Sequence, residues 1–220
     1  MRRTAIYASF AAALLFSACN SNTAETAETT ETIAEAPITG EGETYNVVTE
    51  KSEVSWNGKK VTGEHSGNIN LQSGELTVAG EQLTGGTLVM DMTSISNSDI
   101  TSAEDKQKLE GHLKSDDFFG VENHPTAKFE ITSAAPIAGA AAGEPNYTVT
   151  GNLTIKGKTN AVTFPATINM ADGMVNAKAD VTVDRTKYDI RYGSNSFFDN
   201  LGDKAINDEF TVAFDLTAQQ

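Results

Sequence analysis

The chain has one cysteine, Cys19, so no disulfide can form within it. Basic residues are scarce, with 16 Lys and Arg against 30 Asp and Glu. Nucleic-acid binding needs clustered Lys and Arg to neutralise phosphate, and that class is excluded. Aromatic residues make up 7% of the chain, too few for the two girdles of a transmembrane β-barrel. The three histidines include no His-x₃-His pair and have no cysteine pair beside them. The three or four converging ligands of a zinc site are therefore not in view, although His112 and His124 flank Asp116 and Asp117. There is no Gly-x-Ser-x-Gly turn and no phosphate-cradling glycine loop. No catalytic residue, metal or cofactor is expected.

Long apolar runs are also missing, apart from a mainly apolar stretch from Ala5 to Phe16. It is well short of the roughly 20 residues that span a bilayer. With Arg2 and Arg3 before it and Ser17-Ala18 after it, residues 1–18 read as an export signal that is cleaved. Leu15-Phe16-Ser17-Ala18-Cys19 resembles the lipobox of bacterial lipoproteins, with Phe16 where Leu is commoner. That resemblance implies an acylated Cys19 at the mature N-terminus, an anchor in a membrane of the bacterial envelope and a periplasmic or surface location. Without Arg2 and Arg3, 14 basic residues face 30 acidic ones, a net charge of −16. Residues 20–43 hold no aromatic and no basic residue, so the stretch 19–43 is expected to be a disordered acidic tether.

From Tyr45 onward, apolar and polar residues alternate with the period of half-buried strands. Tyr147, Val149, Gly151, Leu153 and Ile155 share one face, as do Val162, Phe164, Ala166, Ile168 and Met170. The pattern recurs at Val175, Ala177, Ala179, Val181 and Val183, and at Phe210, Val212, Phe214 and Leu216. Weaker cases are Val54 and Trp56, Ile69 and Leu71, and Leu88, Met90 and Met92. Turns are expected at Asn57-Gly58, Ser73-Gly74, Gly85-Gly86, Lys156-Gly157-Lys158 and Asp172-Gly173. One segment differs: Ser102 to Asp105 opens like a capping box, and Leu109 and Leu113 share a helix face, so a short helix is predicted there. Strands with one apolar face suit a single antiparallel all-β domain over 44–220, either a sandwich or a barrel.

Three stretches carry a family resemblance. Gly111-His112-Leu113-Lys114-Ser115-Asp116-Asp117-Phe118-Phe119 is followed by Asn123-His124-Pro125, where the family usually has Tyr in place of His124. Gly151-Asn152-Leu153-Thr154-Ile155-Lys156-Gly157 comes next, then Asp184-Arg185-Thr186-Lys187-Tyr188. In this order and spacing, residues 44–218 resemble the YceI family of secreted lipid-binding proteins. The resemblance implies a lipocalin-like antiparallel β-barrel of about eight strands with one or two short helices. It further implies a long apolar lipid inside, of isoprenoid, quinone or fatty-amide type, and a capacity to pair with a second copy.

The candidate lining is Trp56, Phe129, Val149, Leu153, Phe164, Ala166, Ile168, Ala177, Ala179, Val181, Phe210, Val212 and Phe214. Small inward residues such as Ala166, Ala177, Ala179 and Gly151 leave room for a ligand; the alternative is a barrel filled by larger side chains opposite them. His112, Asp184 and Arg185 are candidates for a head-group contact or for purely structural bonding. The function expected is non-catalytic lipid binding or transport, and the alternative is a structural or stress-response lipoprotein with a filled barrel.

Overall fold

The computed structural model describes residues 41–220. The signal, Cys19 and most of the tether lie outside the described residues. Among the described residues there are nine strands: β1 Glu43–Val47, β2 Glu53–Lys60, β3 Gly63–Ala79, β4 Gln82–Asn97, β5 Thr126–Pro136, β6 Tyr147–Ile155, β7 Lys158–Ala171, β8 Met174–Asp184 and β9 Ile206–Gln219. One helix, α1, runs from Ala103 to Lys114 between β4 and β5. Glu43, placed with the tether on sequence grounds, is already paired with Val78.

Every pairing is antiparallel. β2, β9, β8, β7, β6, β5 and β4 lie side by side in that order, and β3 pairs with both β4 and β2 to close the ring. The result is an eight-stranded barrel. β1 is added outside that count and bridges β3 and β9 at one end. Alternation decides what faces in. On β6, Tyr147, Val149, Leu153 and Ile155 are buried, while Thr148, Thr150 and Thr154 are only half-buried. Closure leaves no strand edge on the ring, so a single interior is shared by all eight strands.

Two of the predicted turns are tight hairpins, at Lys156-Gly157 and at Asp172-Gly173. Both residues of each turn have positive φ, as a two-residue turn matched to strand twist requires. The other three are not turns. Asn57-Gly58, Ser73-Gly74 and Gly85-Gly86 lie within β2, β3 and β4, and the chain reverses instead at Val61-Thr62 and Gly80-Glu81. Glycine in these long strands serves close packing: a Cβ on Gly74 would stand 2.8 Å from Val47 Cγ2 and 2.9 Å from Leu88 Cδ2.

Helix α1 begins as expected, with Ser102 Oγ accepting from the Asp105 N–H at 3.4 Å. The Glu110 carboxylate accepts from Asn97 N–H at 2.8 Å, tying the helix to the end of β4. Leu113 is buried, and Leu109 packs against the core. The segment entering the helix is held by Asp99. Its carboxylate accepts from Ser66 N–H at 2.8 Å and Asn97 Nδ2 at 2.6 Å, and lies 2.8 Å from His65 Nδ1.

Burial pushes the Asp99 carboxyl up, but these hydrogen bonds and the charge of His65 outweigh it and hold the pKa at about 2. A folded pKa below the ordinary 3.8 favours the fold above that value, and the contribution is lost as pH falls through about 2. Urea unfolding should therefore show stability dropping between about pH 4 and pH 2. Asp99→Asn should remove that part of the pH dependence, and an unchanged slope would contradict the assignment.

Candidate functional site

The barrel interior is not filled. Two cavities lie along it, of about 110 Å³ and about 50 Å³, and both expose only apolar atoms. The larger lies toward α1. Its walls include Trp56 on β2, Met90 and Met92 on β4, Leu153 on β6, Val181 on β8 and Phe210 and Val212 on β9. Leu113, Phe118 and Phe119 reach it from α1 and the loop that follows. The smaller cavity lies toward the β3–β4 hairpin, lined by Leu76, Leu83, Val149, Ala166, Ile168, Ala177, Ala179 and Leu216 among others.

Phe129, Phe164 and Phe214 belong to both walls and form the partition between them. The rings of Phe129 and Phe164 lie 5.5 Å apart at 46°. Room beyond the partition comes from alanine: Ala166 pairs with Ala179 across β7 and β8, and Ala179 pairs with Phe214 on β9. Gly151 does not contribute such room. A Cβ there would collide with the Phe129 ring, so its missing side chain seats that ring.

From Ile206 to Leu216 on β9 the lining runs about 33 Å along the strand, or about 25 Å along the axis of a barrel with strands tilted roughly 40°. A single leaflet of bilayer hydrocarbon is about 15 Å thick. The small volumes spread over that length describe a slender space, suited to one long and sparsely branched chain. An apolar cavity of about 150 Å³ already stays dry and takes up apolar guests.

The three sequence stretches that carry the resemblance meet at the α1 end. Lys156 Nζ in the β6–β7 turn donates to the Asp116 carbonyl at 2.6 Å. His124 stands over Gly157, with its Cε1 3.2 Å from where a Cβ would be. His112 Nε2 lies 3.2 Å from Asp117 Oδ2, and its ring packs edge-on against Phe118 at 4.9 Å and Tyr192 at 4.5 Å. These contacts fasten the loop carrying Phe118 and Phe119 over the barrel end. His112 is thus bonded to protein on the sides described.

Arg185 is buried, with 4% of its side chain exposed. Its guanidinium donates to four carbonyls: Asn207 at 2.9 Å, Ile190 at 3.0 Å, Tyr192 at 2.8 Å and Ile206 at 3.0 Å. Asp208 Oδ1 lies 3.4 Å from it. Burial lowers the Arg185 pKa against the opposing pull of Asp208 and Asp184. The Asp208 carboxyl is raised by burial but lowered further, to a net decrease, by hydrogen bonds from Ser194 and Ser196 and by Arg185. With its donors taken up in this way, Arg185 joins the 190–192 segment to the start of β9 and has little left to offer a head group. Asp184 is likewise occupied, its Oδ1 accepting from Thr186 N–H at 2.9 Å and Thr186 Oγ1 at 2.6 Å. Tyr188 is buried beside them, and burial together with Asp184 raises its phenol far above the ordinary range.

All thirteen candidate lining residues stand on the walls of one cavity or the other. Sequence reading missed Phe118, Phe119, Leu113 and Gly58 as wall residues. The two Phe had a signal, since apolar residues in a polar loop must pack on something. Among the described residues, no group of three or more His, Cys, Asp or Glu has the arrangement to hold a metal ion, and no helix is long and apolar enough to cross a membrane.

Comparison with known proteins gives a consistent picture. The model of the YceI-like domain family matches residues 45–218. A UPF0312 protein of Pseudomonas putida (strain W619) is 43% identical over 58 residues, a match covering 26% of this chain and only 28% of that relative's length. Burkholderia cenocepacia BcnA superposes with a TM-score of 0.62 at 23% identity, over 79% of this chain and 99% of that one. A polyisoprenoid binding domain from Saccharophagus degradans, implicated in plant cell wall breakdown, gives 0.58 at 16% identity, over 80% and 97% of the two chains. At these identities the likeness shows the barrel fold.

Removing the buried Arg185 guanidinium leaves four carbonyls without their donor and half-buried Asp208 without its cation, which should cost about 1–3 kcal/mol. Urea unfolding of Arg185→Gln should show that loss, together with faster proteolysis between Tyr192 and Phe198. A loss below about 1 kcal/mol would contradict the structural role.

Proposed function

The chain belongs to the YceI-like domain family, and from that premise we propose that its barrel binds a long-chain apolar lipid without catalysing a reaction on it. The observation that carries this reading is an unfilled interior whose cavities expose only apolar atoms, continuing on both sides of the Phe129–Phe164–Phe214 partition. The polyisoprenoid binding domain with the same fold supports an isoprenoid-type ligand. Burial supplies the affinity: each CH₂ removed from water gains about 0.8 kcal/mol, so about ten give roughly the 8 kcal/mol of a micromolar complex before association costs.

The finer biology belongs to the same proposal. The lipobox-like run before Cys19 supports a membrane-anchored lipoprotein of the bacterial envelope, with the acidic segment after it serving as tether. In that setting the barrel carries or shelters lipid near the membrane. Pairing with a second copy is compatible with it.

Tail length tests the reading. Among alcohols of increasing prenyl length, affinity should rise until the track is full and then level off. Ala179→Gln, which places a polar side chain beyond the partition, should weaken binding of the long members at least tenfold and leave the shortest nearly unchanged. Equal weakening at every length in a folded variant, or none, would place the tail elsewhere.

A further inference from the structure

The wall of the larger cavity lacks a side chain at one inward position on β2. Val54 and Trp56 on β2 fill their inward positions, but Gly58 continues the same face with no side chain, and a Cβ built there meets nothing within 4 Å. Gly58 is not among the positive-φ glycines, so its backbone does not require glycine. Its partner across the ladder is Phe210 on β9, and the register slips immediately beyond, where Lys60 pairs with Ile206. Lys59 alone therefore faces Asn207, Asp208 and Glu209, and regular β2–β9 pairing is interrupted at this point. Of all the residues lining the cavity, only Lys59, Asn207 and Glu209 are exposed. The opposite side is framed by Phe119, whose ring packs edge-on against Phe210 at 6.3 Å.

We propose that this interruption between β2 and β9 is the portal of the barrel. The lipid enters there tail first, and its polar end comes to rest among Lys59, Asn207 and Glu209. The portal rests on the lipid-binding reading and adds to it a route and an orientation. It also accounts for Gly58: a side chain at that position would project into the cavity beside the break in the β2–β9 ladder. Arg185, although it borders the same cavity, is engaged by carbonyls and Asp208, which leaves the exposed rim as the polar terminus.

The test uses the full chain carrying Cys19→Ser, so that Gly58→Cys introduces a unique thiol. Uptake of a conjugated-polyene alcohol, whose fluorescence rises on leaving water, is followed by stopped flow. It is measured before modification, after attachment of a benzyl group through a disulfide, and after reductive release. The unmodified Gly58→Cys protein sets the reference rate; the benzyl adduct should take up the probe at least tenfold more slowly, and the reduced protein at the reference rate. Uptake at the reference rate by protein shown by mass to be modified would overturn the portal, as would a thiol that fails to react in the folded protein. Failure of the Cys19→Ser parent itself to take up any probe would overturn the lipid-binding reading, and the portal with it.

Discussion

Closure of the sheet is the constraint on which the rest of the molecule depends. Because β3 pairs with β2 on one side and β4 on the other, the eight strands have no free edge and enclose one interior. Strand parity then decides every inward position together, since a slip of one residue would turn an entire strand's apolar set to water. The interior that results is apolar throughout but incompletely filled. Alanine faces alanine across β7 and β8, and Phe129, Phe164 and Phe214 stand between the two cavities.

An open-ended barrel would admit water to that interior, and the α1 end shows how this is prevented. The loop after α1 brings Phe118 and Phe119 over the opening and is held by Lys156, His112 and Tyr192. Arg185 holds the facing segment down through four carbonyls. Such an arrangement keeps a buried charge satisfied while joining elements distant in sequence. His112, Asp184 and Arg185, left open by the sequence between a head-group contact and structural bonding, are bonded to protein groups that fix the frame around an apolar space.

Much of this was legible in the chain itself. Period-two alternation located β6 through β9, and the capping pattern at Ser102 located α1, because both signals are local. The thirteen inward residues followed from parity once a closed barrel was assumed. What could not be read was long-range. Three glycine-containing pairs that look like turns lie inside strands; at Gly74 the need comes from Val47 and Leu88 and not from its sequence neighbours. Gly151 reads as open space, yet Phe129, on the adjacent strand β5, occupies it. Whether Arg185 meets a ligand or the protein depends on carbonyls of residues 190–207, and no local motif encodes their approach.

The central claim is that the apolar interior holds a lipid. Native mass spectrometry of the full chain, purified from its own source without detergent and then extracted with organic solvent, tests it most directly. The account predicts a stoichiometric extra mass that extraction releases as a long-chain apolar lipid. A bare protein mass, unchanged after incubation with isoprenoids and quinones, would contradict it and leave the barrel a structural element.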